Sequence, residues 1–115
     1  MSPMKIINQQ VSKDELAVLA KERFGDMVKA VVDVRQGIMA VGGELHADAE
    51  QKLLEQGSQQ TDLWGINIYP QQPRNEWIEF DSMINVRPAQ GNRSRSVEDP
   101  GVQKKIIAVV DRLVP

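Results

Sequence analysis

The one histidine of this chain, His46, lies in the run Glu44-Leu45-His46-Ala47-Asp48-Ala49-Glu50. Imidazole titrates near neutrality in its ordinary state, so this is the first place to look for proton transfer. On a helix, His46 and Glu50 project from one face, as an acid/base pair or two metal ligands would. An ordinary exposed helix pair has the same spacing. With no second histidine and no cysteine to fill a coordination sphere, no metal site is expected. His46 and Glu50 therefore stand as catalytic candidates, with His46 expected on the surface and dispensable for folding.

A second polar concentration runs from Gly57 through Asp62 to Pro70. Gly65, Asn67 and Tyr69 share one parity of a strand there. A glycine inside a strand often marks close approach by another backbone or by a ligand. Asp62, Asn67 and Tyr69 are ligand-binding candidates, because convergent polar groups orient a bound molecule. A sheet with one face in water has the same appearance. Glu79 and Asp81 share a face further on and read as solvated carboxylates.

The third candidate is basic. Arg87, Arg93 and Arg95 flank a Gly91-Asn92 step in the segment 87–96, just before a helix start at Asp99. Guanidinium forks beside a helix N-terminus favour phosphate or carboxylate, so Arg87, Asn92, Arg93 and Arg95 are read as sites for a small anionic ligand. Glu98 and Asp99 oppose an anion at the same place. The net charge of −2 argues against a general nucleic-acid binder, whose affinity rests on phosphate contacts. Neither a P-loop, a dinucleotide fingerprint, a nucleophile elbow nor a zinc-protease helix is present. No cofactor is implied.

The elements that must position these residues follow from length and pattern. A chain of 115 residues with 41% hydrophobic and 26% charged side chains matches one globular domain, 1–115. Ser12 and Glu15 have capping-box spacing ahead of Leu16, Leu19, Ala20 and Phe24, and Gly25 supplies the stop. Val28, Ala30, Val32 and Val34 alternate with polar residues, which predicts a half-buried strand turning at Gln36-Gly37 into Ile38–Val41. Lys5-Ile6-Ile7 has the character of a short edge strand.

A second helix is expected to start between Glu44 and Asp48 and to end at Gly57, with Leu45, Ala49 and Leu53 facing inward. Trp64, Ile66 and Ile68 mark a third strand of the sheet. The parity of Ile78, Phe80, Ile84 and Val86 suggests a long or bent strand over 76–87. The segment 88–98 reads as a flexible basic loop. Asp99 and Pro100 open a last helix lined by Val102, Ile106, Val109, Val110 and Leu113. The expected fold class is α+β, with three helices on one side of a largely antiparallel or mixed sheet of about four strands. The order is helix, hairpin, helix, strand pair, helix.

Three runs, 28–33, 42–50 and 57–70, together with Ile84-Asn85-Val86-Arg87-Pro88 and Gly91-Asn92, resemble a family of small prokaryotic proteins known only as a domain of unknown function. The likeness spans nearly the whole chain from the first helix onward. It implies a complete, free-standing protein and carries no catalytic role.

No signal-peptide or membrane-spanning run is visible, so cytoplasmic residence is the expectation. The leading functional expectation is a small-molecule or protein-binding domain acting as a homo-oligomer, partly because Trp77 and Met83 fall on the polar parity of the fourth strand. The alternative is a small hydrolase or nucleic-acid-processing enzyme using His46, a nearby carboxylate and the arginine loop.

Overall fold

The chain begins its first helix where the capping residues direct it. In the computed structural model, which describes residues 4–115, α1 spans Lys13–Arg23. Ser12 Oγ accepts the Glu15 amide at 3.1 Å, and Glu15 Oε1 accepts the Ser12 amide in return. Gly25, at φ +89°, ends the helix in a conformation that a side chain would strain. The last helix, α3 (Pro100–Leu113), starts with Asp99 accepting the Gly101 amide at 2.7 Å and with proline at its first position. The middle helix, α2 (His46–Glu55), follows an N-cap, Leu45, that has no capping side chain.

The described residues form five strands, β1 (Lys5–Ile7), β2 (Val28–Asp33), β3 (Ile38–Val41), β4 (Leu63–Ile68) and β5 (Ile78–Glu79), rather than about four. Their order in the sheet is β1-β3-β2-β4-β5, antiparallel throughout. The extra member is β1, whose three residues pair completely with Met39–Val41.

The helices do not share one side of the sheet. Leu16 and Leu19 of α1 and Ile106, Val109, Val110 and Leu113 of α3 pack against Val28, Ala30, Val32, Met39, Val41, Trp64, Ile66 and Ile68. Ala49 and Leu53 of α2 pack on the opposite face, against Val31, Ala40 and Leu63. Full burial of an aliphatic side chain contributes roughly 1.5–3 kcal/mol, so even this smaller cluster holds α2 in place. β2 is consequently buried on both faces, not half-buried.

Asp33 shows the consequence. It is fully buried and accepts the Arg35 and Gln36 amides at 2.9 Å, the Ser58 hydroxyl at 2.7 Å and the Gln36 side-chain amide at 2.9 Å. A buried carboxylate persists only with such a full set of donors. It fastens the β2–β3 turn to the end of α2.

The long strand expected over 76–87 is replaced by two residues of β5 and a tight turn at Met83–Asn85. Gly65 is the physical reason. A Cβ there would lie 2.6 Å from Ser82 Cβ and Oγ, so Ser82 and Ile84 cross directly over its backbone. The Asn85 side chain then takes the place of a neighbouring strand. Its Oδ1 accepts the Gly65 amide at 2.8 Å, and its Nδ2 donates to the Gly65 carbonyl at 2.9 Å. Trp77, expected on an exposed parity, is 4% exposed in the α1–α3 core and donates its indole N–H to the Gln72 carbonyl. Met83 remains exposed.

Candidate functional site

On the α2 side of the sheet, apolar cover stops short of the end of β2 and β4. Val31 and Leu63 lie beneath α2, but Lys29, Asn67 and Glu79 stand in a cross-strand row beyond it, as the register pairs them. The start of α2 and the 82–84 crossing wall this end into a cleft of about 250 Å³. It is lined by Lys29, Leu45, His46, Ala47, Ser82, Met83, Ile84 and Arg95.

His46 occupies the inward position of α2 that the sequence assigns to Leu45. Leu45 lies one residue before the helix and is 61% exposed, whereas His46 is 7% exposed. His46 Nε2 lies 2.8 Å from the Ile66 carbonyl. A carbonyl only accepts, so Nε2 carries the hydrogen. Burial pushes the imidazole below its ordinary pKa. The Ile66 carbonyl opposes that shift, Lys29 adds to it, and Asp81 and the Asn67 side chain weakly oppose it. Near neutral pH the ring is therefore uncharged, with a lone pair on Nδ1. Nδ1 makes no hydrogen bond to a described residue and is not sealed from solvent.

Asn67 is 4% exposed, and its Nδ2 donates to Glu79 Oε1 at 2.7 Å. Its Oδ1 is buried and accepts no hydrogen bond of normal geometry from the described residues, although the side chain acts on the His46 ring nearby. Tyr69 donates to the same Glu79 oxygen at 3.1 Å, and these neighbours raise the phenol's pKa, burial first and the Glu79 carboxylate next. Arg95 Nε donates to Asp81 Oδ1 at 2.6 Å. The Lys29 ammonium lies over the Phe24 ring, 5.3 Å from its centre, and forms no ion pair among the described residues. The first two amides of α2, at His46 and Ala47, donate to no described group. The structure thus brings His46, Asn67, Tyr69 and Arg95 into one neighbourhood.

The other candidates go elsewhere. No hydrogen bond joins Glu50 to His46; Glu50 interacts with Arg87 instead. One buried atom of each, Glu50 Oε2 and Arg87 Nε, lacks a partner among the described residues. As acceptor and donor of opposite charge they complement one another. Arg87 lies 4.2 Å from the centre of the Trp64 ring and donates to the Gln60 and Leu63 carbonyls, so it continues the sheet edge beyond Asn85. Burial lowers its pKa, and Glu50 opposes that.

Asn92 is 4% exposed and organises the loop after Arg87. Its Nδ2 donates to the Asn85, Ser94 and Ser96 carbonyls, and its Oδ1 accepts the Glu98 amide at 2.9 Å. Glu98 Oε2 accepts the Arg93 and Ser94 amides, and the Ser94 side chain first, then these amides, hold its carboxyl below the usual range. Asp62 pairs with Arg35 at 3.2 Å. Asp62 and Asn92 border a second cleft of about 520 Å³ beside the start of α3, with Glu98, Asp99 and Lys105. The three arginines of the loop therefore do not converge.

Sequence reasoning missed Lys29 and Ser82 as cleft residues. Lys29 reads as one of several solvent-facing charges on β2, and Ser82 has no local motif. The pairing of Lys29 with Asn67 is a register fact that appears only when β2 and β4 are aligned. Among the described residues, no cluster of metal-ligating side chains is formed, and no helix is long and apolar enough to cross a membrane. A family described as "Protein of unknown function (DUF5674)" matches residues 5–113. No curated protein and no solved structure gives a significant match.

Proposed function

The chain belongs to the DUF5674 family of unknown function, and we propose that it is a small-molecule-binding domain whose ligand occupies the cleft between α2 and residues 82–84. One observation carries this reading: unused hydrogen-bonding groups gather there. His46 Nδ1 and the first two amides of α2 have no hydrogen-bond partner among the described residues, and the Lys29 ammonium, over the Phe24 ring, forms no ion pair with them. Polar groups that line a cleft and have no protein partner are free to be completed by a ligand, and here several gather on one wall. Leu45 and Met83, at 61% and 65% exposure, add an apolar lip. A concave site with apolar walls and a few placed polar groups is the usual form of a ligand pocket.

Binding is favoured over catalysis because no nucleophile is activated. Ser82 lines the same cleft, but its hydroxyl accepts the Ile84 amide at 3.2 Å and makes no hydrogen bond to His46. A hydrolase acting through His46 needs a hydroxyl or water delivered to Nδ1.

The direct test is an amide-resolved NMR titration with 3-methylbutan-1-ol, a small apolar alcohol. Shifts confined to residues 29, 45–47 and 82–84 are expected. Ala47→Trp, placed on the exposed wall, should abolish them while circular dichroism stays unchanged. Shifts elsewhere, or shifts that survive this substitution, would sink the reading. Association of two copies through the Leu45–Met83 lip is the second reading. Loss of a dimer in sedimentation of Met83→Lys would favour it.

A further inference from the structure

Resting on that reading of the cleft, we infer that its occupant is a small organic acid that also carries a hydroxyl group. The charged side chains lining the cleft are Lys29 and Arg95, both cations. The carboxylates behind them are already engaged. Glu79 accepts from Asn67 and Tyr69, and Asp81 holds Arg95 Nε, leaving the two terminal nitrogens of Arg95 without a described partner. Lys29 has no counter-ion among the described residues. The uncapped start of α2 adds two amides and the positive end of its dipole on the same wall. These donors and charges select an anion and repel an ammonium group.

A bare carboxylate leaves half the cleft unanswered, because it accepts hydrogen bonds but donates none. The nine-tenths-buried His46 side chain, its Nε2 donating to the Ile66 carbonyl, presents Nδ1 as an acceptor without a partner among the described residues. A hydroxyl hydrogen satisfies it. The volume of about 250 Å³ lies below the range of drug-sized pockets and suits a short chain, with Leu45 and Met83 to cover its apolar part. Nucleotides and peptides are too large for it.

Three probes separate the parts of this inference in NMR titrations of the full chain. They are 2-hydroxy-4-methylpentanoate, 4-methylpentanoate and 4-methylpentan-2-ol. The hydroxy acid should bind tightest, by about tenfold over each truncated probe, and should move the His46 and Ala47 amides. Lys29→Met should weaken the hydroxy acid about tenfold and leave the alcohol unchanged. If the alcohol binds the cleft as well as the hydroxy acid does, the anion requirement is wrong and the cleft reading stands. If the plain acid binds equally well, the hydroxyl requirement is wrong. If no probe moves a cleft amide at about 10 mM, the reading of the cleft itself fails.

Discussion

The cleft under Lys29 and His46 and the larger one beside the start of α3 are both bordered by polar side chains, yet those side chains are differently occupied. Around the larger cleft, Asp62 holds Arg35, Glu98 holds two loop amides, Asp99 caps α3, and every hydrogen-bonding atom of the Asn92 side chain has a partner. Those groups hold the loop 87–99 in shape. In the smaller cleft, His46 Nδ1 and the first two amides of α2 have no partner among the described residues. Volume favours the first cleft and unmet chemistry favours the second. Polar residues that fold a loop and polar residues that await a ligand are the same residue types, and only their partners tell them apart.

Two asparagines make this contrast breakable. Asn85, fully buried, has both ends engaged on Gly65 and also donates to the Arg95 carbonyl. Asn85→Ala should cost about 3 kcal/mol in urea denaturation, the sum of these bonds and of the backbone groups left unmet. A cost below about 1 kcal/mol would show that water replaces the side chain and that the strand surrogate is unimportant.

Gly65→Ala comes next. The new methyl meets Ser82 and Ile84, and overpacking of this kind costs about 1–3 kcal/mol. It should also displace the wall of the His46 cleft, so amide shifts at 82–84 should exceed those in the α3 cleft. Equal perturbation of the two clefts would erase the distinction between them.

The pH response of His46 gives a smaller effect with a fixed sign. Its folded pKa is depressed, so the unfolded chain binds the proton more readily. Its stability contribution is complete above about pH 6.5, the ordinary histidine value, and is lost as pH falls below it. His46→Gln keeps a donor able to reach the Ile66 carbonyl and cannot titrate. Thermal melts between pH 5 and 8 should therefore be flatter for His46→Gln than for the parent chain. Parallel curves would mean that His46 charges without cost, contrary to its burial.

Asn67→Ala should cost less than about 1 kcal/mol, because it frees an exposed carboxylate to water and removes only a long bond to the Asp81 carbonyl and an oxygen without a partner among the described residues. Calorimetric melting against Asn85→Ala gives the comparison its scale. Arg93→Ala is the smallest change: the loop is held through the Arg93 amide, not its guanidinium, so stability should stay within about 0.5 kcal/mol.

Local capping signals fix where α1 and α3 start, and the alternation of helical and strand patterns fixes the α+β class. Ser12, Glu15, Asp99 and Pro100 act within a turn of their own position, so their effect is written locally. The alternation in β2 and β4 is local too, and it located both strands. The face of the sheet that α2 covers depends on burial contributed from distant segments. That is why β2 reads as a half-buried strand and is sealed on both faces, at Asp33 and Val31 as well as at Val32.

His46 changes character for the same reason. One residue of phase at the start of α2, set by packing on Val31 and Leu63 and not by a capping side chain, exchanges it with Leu45. The likeness of 76–87 to a strand rested on parity alone. It failed because Gly65 leaves room for the chain to cross over β4, and Asn85 completes the edge with a side chain. Cross-strand register, which sets Lys29 beside Asn67 and Asn67 beside Glu79, has no local signature, and so the residues of the cleft were assembled only by the tertiary structure.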